Sequence, residues 1–352
     1  MNFDFPVSDF VRVRDDKALG KALAKRKHVR LVGGGSSQAF LQAPDTEVDV
    51  VSTADMTRIL RLEADDLTCS VEPGVTRENL DAALADHNLW LPCGGTGTIG
   101  GIFAGDRTGP LAPAQHEPRS LLLGLSAVLT DGTRFKSGAR VVKSVAGFDL
   151  QKLFVGSRGR LFAVTAMHLK LRPKPPAIVA FEQDGLSLPA SMELLLGMRQ
   201  SHIAPLVLSL ARQGPDFTLT GSIGGDPQHL ETWIHGFGLS ATKSTAHNAV
   251  DESNLAENVE TIQGLLPLQA LPKLLEQLPG GAPFVLHGLR FSTRLPTLAT
   301  DRLLQDLPSI GGSGEIVVGP ASRRGRTSPV DPVVARLEAE LAQILDPRGV
   351  LR

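Results

Sequence analysis

The chain has 352 residues, 42% hydrophobic and 21% charged, with a formal net charge of -1. This is ordinary globular composition, long enough for two compact units or one large one, and the near-neutral balance gives no electrostatic case for nucleic acid or an acidic membrane surface. Two cysteines, Cys69 and Cys93, make no disulfide framework, and the absence of tyrosine excludes any mechanism that needs a phenol.

The acidic N-terminus opens no long apolar run, so no signal peptide is expected. No apolar run reaches membrane-spanning length. The expected location is therefore the cytoplasm, with no direct membrane insertion. The Lys/Arg-rich stretch from Lys17 to Arg30 reads as the solvated face of a helix over Ala18–Lys27. Val29–Val32 reads as a buried strand, and Glu47–Ser52 and Leu67–Glu72 as further strands. Met56–Leu62 between them is too short to assign. Thr76 is a candidate N-cap. The helix after it puts Leu80, Ala83, Leu84 and His87 on one face and stops at Asn88. Gly105 to Pro118 is irregular. Ser120–Leu129 is a strand, with Thr133–Lys136 its hairpin partner across Asp131-Gly132. Leu161–Leu171 is apolar and β-branched, and it ends at the proline cluster Pro173-Lys-Pro-Pro176, the best domain boundary in the chain.

Beyond that cluster the pattern is α+β. Strands are predicted at Ile178–Glu182, Leu206–Ala211, Phe217–Ile223, Phe284–Phe291 and Glu315–Val318. Helices are predicted at Ala190–Arg199, His229–Gly238, Leu271–Gln277, Leu298–Leu307 and Pro332–Leu345. The last is a clean amphipathic helix. The basic run Ser322–Arg326 reads as a solvated loop or a docking surface.

Three glycine-rich segments stand out. They are Arg30-Leu-Val-Gly-Gly-Gly-Ser-Ser37, Pro92-Cys-Gly-Gly-Thr-Gly-Thr-Ile-Gly-Gly101, and the run from Val145 to Gly159 that ends Phe-Val-Gly-Ser-Arg-Gly. Glycine lets backbone approach a ligand closely, and successive N–H groups can then converge on an anion. The second segment contains a literal Gly-x-Gly-x-x-Gly. The Rossmann reading is set aside, because a proline and a cysteine precede it and more glycine follows where a helix should open.

Together and in this order, the segments resemble the p-cresol methylhydroxylase-type FAD-binding family, and within it the FAD-binding subunits of bacterial glycolate oxidases. The run from Gly138 to Leu153 is similar to the Val-Met-Lys-Asn-Val-Ala-Gly-Tyr-Asp run of those subunits, with Phe148 where tyrosine is usual. Leu345-Asp-Pro-Arg-Gly-Val-Leu351 is similar to their tail. Four departures stand out. Phe162 occupies a usual glycine position, Ala166 a usual glutamate and Ser120 a usual aspartate. Asp106-Arg-Thr-Gly-Pro110 keeps only part of a Ser-Gly-Pro-Arg segment.

The resemblance implies an α+β fold: a two-lobed p-cresol methylhydroxylase-type FAD-binding domain over residues 8–175, an α+β cap for substrate or partner docking over 176–315, and a C-terminal return to the FAD domain over 316–352. It implies noncovalent FAD, since the first loop lacks a tethering histidine. Gly33, Gly34, Gly35, Ser36 and Ser37 would take the pyrophosphate. Pro92, Gly95, Thr98, Ile99, Gly100 and Gly101 would lie along the ribityl chain and the isoalloxazine ring. Gly147, Asp149, Gly156 and Ser157 would complete the pocket near the adenine. No catalytic residue is assigned. His287 and Arg290 fall on one predicted strand, where alternation sets them on opposite faces. No paired-histidine motif marks a metal.

The implied function is oxidation of a small 2-hydroxy acid within a glycolate-oxidase-like complex. A second flavin subunit and an iron–sulfur subunit would be the partners, and any association with the membrane would come through them. Two alternatives stay open: an autonomous FAD-dependent hydroxy-acid or alcohol dehydrogenase, and a non-catalytic assembly subunit in which FAD is structural or lost.

Overall fold

The structure is a computed structural model that describes residues 3–36, 41–106, 117–140, 148–242 and 259–351, with Gln213 described in its backbone alone. Of the expected site residues, Ser37 and Gly147 lie outside the described residues. So do most of the Gly105–Pro118 stretch and the centre of the Gly138–Leu153 run.

Three sheets dominate. The first is small and parallel: Val48–Ser52 lies between Val7–Arg12 and Val29–Val32. The crossover is the helix Asp16–Lys25, whose N-terminus is capped by the Asp15 carboxylate accepting from the Ala18 N–H at 2.7 Å. Its Leu19, Ala22 and Leu23 are buried against Val13, Val29 and Val51. The charged stretch is solvated as expected up to Lys27, but Arg30 is not. It sits 1% exposed on the strand Val29–Val32, with its guanidinium over the Phe5 ring. Strand alternation, not the charge run, decides its place.

The second sheet has five antiparallel strands, in the order Ile59–Glu63, Thr68–Val71, Ala163–Lys170, Leu122–Val128, Arg134–Gly138. The unassigned stretch before Leu67 thus supplies an edge strand. One face of the sheet carries Cys69, Val71, Leu122, Leu125, Met167 and Leu169 into a core closed by Leu80, Leu84 and Phe103. The helix Arg77–Ala85 covers it, capped by Thr76 as the sequence predicts. Leu80 and Leu84 are buried, but His87 is exposed beyond the helix end.

The third sheet has eight strands drawn from residues 177–318. Leu208, Leu210, Leu219, Leu286, Phe291 and Ile316 enter a core on one face, beneath the helices Leu188–Gln200, Pro227–Gly236 and Thr297–Asp306. The predicted strand Phe284–Phe291 is two strands, Phe284–His287 and Arg290–Pro296, joined at Gly288 with φ +63°. Because the chain reverses there, His287 and Arg290 are cross-strand partners on the same face. The basic run Ser322–Arg326 is solvated at its two ends but pinned at its centre. Arg323 bonds Glu260 and Asp301, and the buried Arg324 bonds Asp4.

The helix Pro332–Leu345 forms as predicted but buries no residue. The tail after it makes the return to the first sheet. Leu351 bridges Val29 in parallel, and Val350 and Leu351 join the core beneath the first helix. Asp346 locks this return. Its buried carboxylate accepts from Thr130 Oγ1 and from the Leu351 N–H, each at 2.8 Å. Asp346→Ala strands both donors, so urea unfolding should show a loss of about 2–3 kcal/mol, against about 1 kcal/mol for Thr130→Val. Equal stabilities would mean that the tail is held by packing alone.

Candidate functional site

The three glycine segments meet at one short helix. Ile99–Ala104 opens directly from the second segment, with Thr98 as N-cap accepting from the Gly101 N–H at 3.2 Å. By sequence no helix is expected here, because Gly100 and Gly101 are poor helix formers. Tertiary hydrogen bonds override that preference: the Ile99 N–H donates to the Val75 carbonyl at 2.8 Å and the Gly100 N–H to the Pro73 carbonyl at 2.9 Å. A Cβ on Gly100 would lie 2.7 Å from Pro73 Cβ, so glycine is required by the turn behind it. Arg77 anchors the preceding stretch through the carbonyls of Leu91 and Cys93. The Rossmann reading stays excluded, since the strand before the loop, Leu89–Trp90, pairs only with Arg172–Pro173 in an antiparallel ribbon.

The first segment packs on the start of this helix. A Cβ on Gly33 would fall 2.2 Å from Thr98 Oγ1, and one on Gly97, at φ +93°, would fall 2.8 Å from Ser36 Oγ. The third segment packs on its end: the Gly156 N–H donates to the Phe103 carbonyl at 3.1 Å and the Arg158 N–H to the Ala104 carbonyl at 2.8 Å.

Between the segments lies a pocket with about 780 Å³ of empty space, its open mouth included. Gly33, Gly34, Gly35, Ser36, Thr98, Gly100 and Gly101 line it. Pro92, Gly95, Ile99, Asp149, Gly156 and Ser157 do not. Ile99 is in the core, and Asp149 is exposed, accepting from the Gln151 side chain at 2.8 Å. Thr96, Pro73, Arg158 and Gly159 contribute instead. Arg158 and Gly159 stand directly after the residues picked out in the third segment. Pro73 carried only a turn signal.

The pocket suits a dinucleotide. Among the described residues nothing accepts a hydrogen bond from the N–H groups of Gly33, Gly34 or Gly35, so three adjacent donors remain for a ligand. Such a run is matched to phosphate oxygens. Nearby charge has the right sign: burial, with Arg160, Arg158 and Arg324 close by and Asp4 in partial opposition, pushes the Arg30 guanidinium down to about 10. Phe162 is fully buried, edge-on to Phe135 at 5.2 Å and stacked on Phe154 at 6.2 Å. It forms pocket wall while its ring belongs to the core. Cys93 is fully buried and does not line the pocket. Burial pushes its thiol up to about 11, so no thiolate is available as a tether.

The FAD binding domain family matches residues 15–138. The chain carries an FAD-binding domain. Its relatives include the glycolate oxidase subunit GlcE of Escherichia coli, 30% identical over 167 residues, which are 46% of this chain and 47% of the relative. The glycolate oxidase subunit GlcD of Bacillus subtilis is 36% identical over 124 residues, 34% of this chain and 26% of the relative. A probable mitochondrial D-lactate dehydrogenase of Danio rerio is 36% identical over 134 residues, 37% of this chain and 27% of the relative. The matched part thus spans between a quarter and a half of these relatives. Among solved structures, an alkyldihydroxyacetonephosphate synthase superposes over 97% of this chain and 74% of its own with a TM-score of 0.69, at 12% identity. The fold over nearly the whole chain is thus that of this synthase, and the FAD-binding family match lies within residues 15–138.

The eight-stranded sheet meets the FAD-binding domain through its polar face. That face carries the buried hydroxyls of Ser209, Thr218, Thr220, Ser222 and Thr261. Arg290 on it bonds Asp106, just past the central helix, at 2.5 Å, and Glu315 on it pairs with Arg158 of the pocket. His287 Nδ1 lies 2.6 Å from Ser209 Oγ.

Ala166 lies elsewhere, in a second cleft on the outer face of the five-stranded sheet. His168 is there, with Nδ1 2.8 Å from Ser70 Oγ. Burial, then Arg140 and Lys136, push its imidazole down to about 4.

Two outcomes follow. Gly33→Ala, which meets Thr98 Oγ1, should cost about tenfold or more in FAD affinity, while Gly34→Ala, whose Cβ finds only Thr98 Cγ2 at 3.5 Å, should change it little. Fluorescence titration with FAD reads both, and equal affinities would detach the loop from the cofactor. For His168, the unfolded chain takes up a proton near the ordinary 6.5 that the folded chain refuses until about 4. The histidine's share of stability is thus full above 6.5 and lost as pH falls toward 4. His168→Gln should flatten the dependence of stability on pH across that window.

Proposed function

We propose that the chain is the FAD-holding subunit of a glycolate-oxidase-like complex that oxidises a small 2-hydroxy acid and passes the electrons to an iron–sulfur partner. The observation that carries this reading is the convergence of three glycine segments on one pocket, with the Gly33, Gly34 and Gly35 N–H groups undonated among the described residues. The likeness to GlcE, which covers about half of that subunit, supports it. Gly33 to Ser36 would hold the pyrophosphate. Thr98, Gly100 and Gly101 would lie along the ribityl chain and ring, and Arg158 and Gly159 would close the far side. When bound, FAD supplies the hydride acceptor. The eight-stranded sheet would act as cap, its hydroxyl-lined face excluding bulk water. The flavin is expected to be noncovalent, because the first loop has Gly35-Ser36 where tethered relatives carry histidine and because Cys93 is sealed in the core. With only two cysteines in this chain, any iron–sulfur centre would belong to the partner.

One observation favours the autonomous dehydrogenase. His287 and Arg290 are side by side on the cap face, which is the arrangement of a base beside a carboxylate clamp. Against it, Arg290 already bonds Asp106 and the His287 Nδ1 already faces Ser209. The site would have to open before a substrate could use either group.

The purified protein should be yellow, and acid precipitation should release FAD into the supernatant. Glycolate or D-lactate with an artificial acceptor should give negligible turnover on the chain alone, and activity should appear when partner subunits are co-expressed. Rapid bleaching of the flavin by substrate in the isolated chain, lost in His287→Ala, would overturn the subunit reading for the autonomous one. A colourless protein that cannot be reconstituted with FAD would leave the assembly role.

A further inference from the structure

The helix Pro332–Leu345 is the only α-helix among the described residues without a buried residue. Its Asp331 caps the first turn through the Val333 N–H at 2.8 Å, and Leu345 leans on the core of the FAD-binding domain. The ten residues from Asp331 to Glu340 are all exposed. An isolated helix of this length is marginal in water, and helices in proteins are held mainly by burying an apolar face. This one has such a face. Val334, Leu337, Leu341 and Ile344 recur at spacings of three and four residues, which is the a/d pattern of a helix–helix seam. Leu337 is 48% exposed and Ile344 71%, and Val330 and Val333 extend the stripe. Single exposed apolar residues are ordinary, but a contiguous stripe marks an interaction site.

The charges on its borders say what covers it. At 100° per residue, Glu338 falls on one edge of the stripe and Glu340 on the other. Glu340 is paired with Arg336 at 3.4 Å, and Glu338 has no ion pair among the described residues. Both borders are therefore acidic. A second copy offers these glutamates no cation: run parallel, Glu338 and Glu340 would face Val333 and Leu345, and run antiparallel, each acidic border would meet its own counterpart. Helices that lie in a membrane surface carry lysine and arginine around their polar face. Here Arg336 is the only cation, and it is engaged.

We infer that this helix is a docking element for a different protein chain, one that offers an apolar groove or helix seam rimmed by lysine or arginine. Val334, Leu337 and Leu341 supply the anchors of a helix-in-groove contact, and Glu338 and Glu340 select the basic rim. The inference stands whether or not this chain oxidises a hydroxy acid itself.

The test uses the full FAD-loaded chain and two labelled synthetic peptides of about three heptads. Both have leucine at a and d; one has lysine at e and g, the other glutamate. Fluorescence anisotropy should show the lysine peptide binding roughly tenfold or more tighter than the glutamate peptide. Leu337→Asp should abolish that binding, and the double change Glu338→Lys, Glu340→Lys should reverse the preference. Leu337 is exposed, so an unchanged melting temperature will certify the fold of the variant. Equal binding of the two peptides, or binding undiminished by Leu337→Asp, overturns the inference. So does a concentration-dependent dimer in sedimentation velocity that Leu337→Asp dissolves, which would make a second copy the occupant. Flotation with phosphatidylcholine–phosphatidylglycerol vesicles, lost in Leu337→Asp, would overturn it in favour of a lipid surface.

Discussion

The site depends on how closely three stretches of backbone approach the six-residue helix Ile99–Ala104. Gly33 touches Thr98 so tightly that even a methyl group has no room, and the third segment hangs from the carbonyls of Phe103 and Ala104. Remove that helix and the segments are three unrelated turns in sequence. With it, their free N–H groups and glycine faces line one pocket. Close packing of this kind has few alternative arrangements, so the positions of the three segments are tied to one another.

The glycines therefore serve two ends. In front of Gly34 a Cβ would meet only Thr98 Cγ2 at 3.5 Å, whereas Gly33 and Gly100 are required by protein atoms. A motif read as cofactor contact is in part a motif for folding the contact surface. Phe162 behaves similarly. Its place in a usual glycine position looks like an obstruction in sequence, yet its ring packs with Phe135 and Phe154 while the residue lines the pocket.

Much of this was legible before any coordinates. Amphipathic periodicity located Pro332–Leu345 and Leu271–Gln277 to the residue, and Thr76 announced its helix. The FAD-binding character rested on the order of the glycine segments. The failures have physical causes. The helix at Ile99 was missed because its stability comes from the Val75 and Pro73 carbonyls, which are distant in sequence. Strand alternation alone sets His287 and Arg290 on opposite faces, because nothing in the apolar run signals the turn at Gly288 that brings them together. Arg30 shares its neighbours' charge, yet its strand turns it inward. The paired arginines of Ser322–Arg326 find their acids at Asp4, Glu260 and Asp301, far away along the chain.

The eight-stranded sheet divides its labour by alternation. One set of residues builds the apolar core, and the set between them presents serine and threonine hydroxyls toward the FAD-binding domain. A hydroxyl can donate or accept by rotating, so this surface carries no fixed polarity of its own. Substitutions there leave the core behind them intact. The same alternation lets one sheet face a hydrophobic core on one side and a polar domain contact on the other. Domain contact and core are thereby decided by a residue's parity along its strand, so a one-residue shift in register would exchange the two faces.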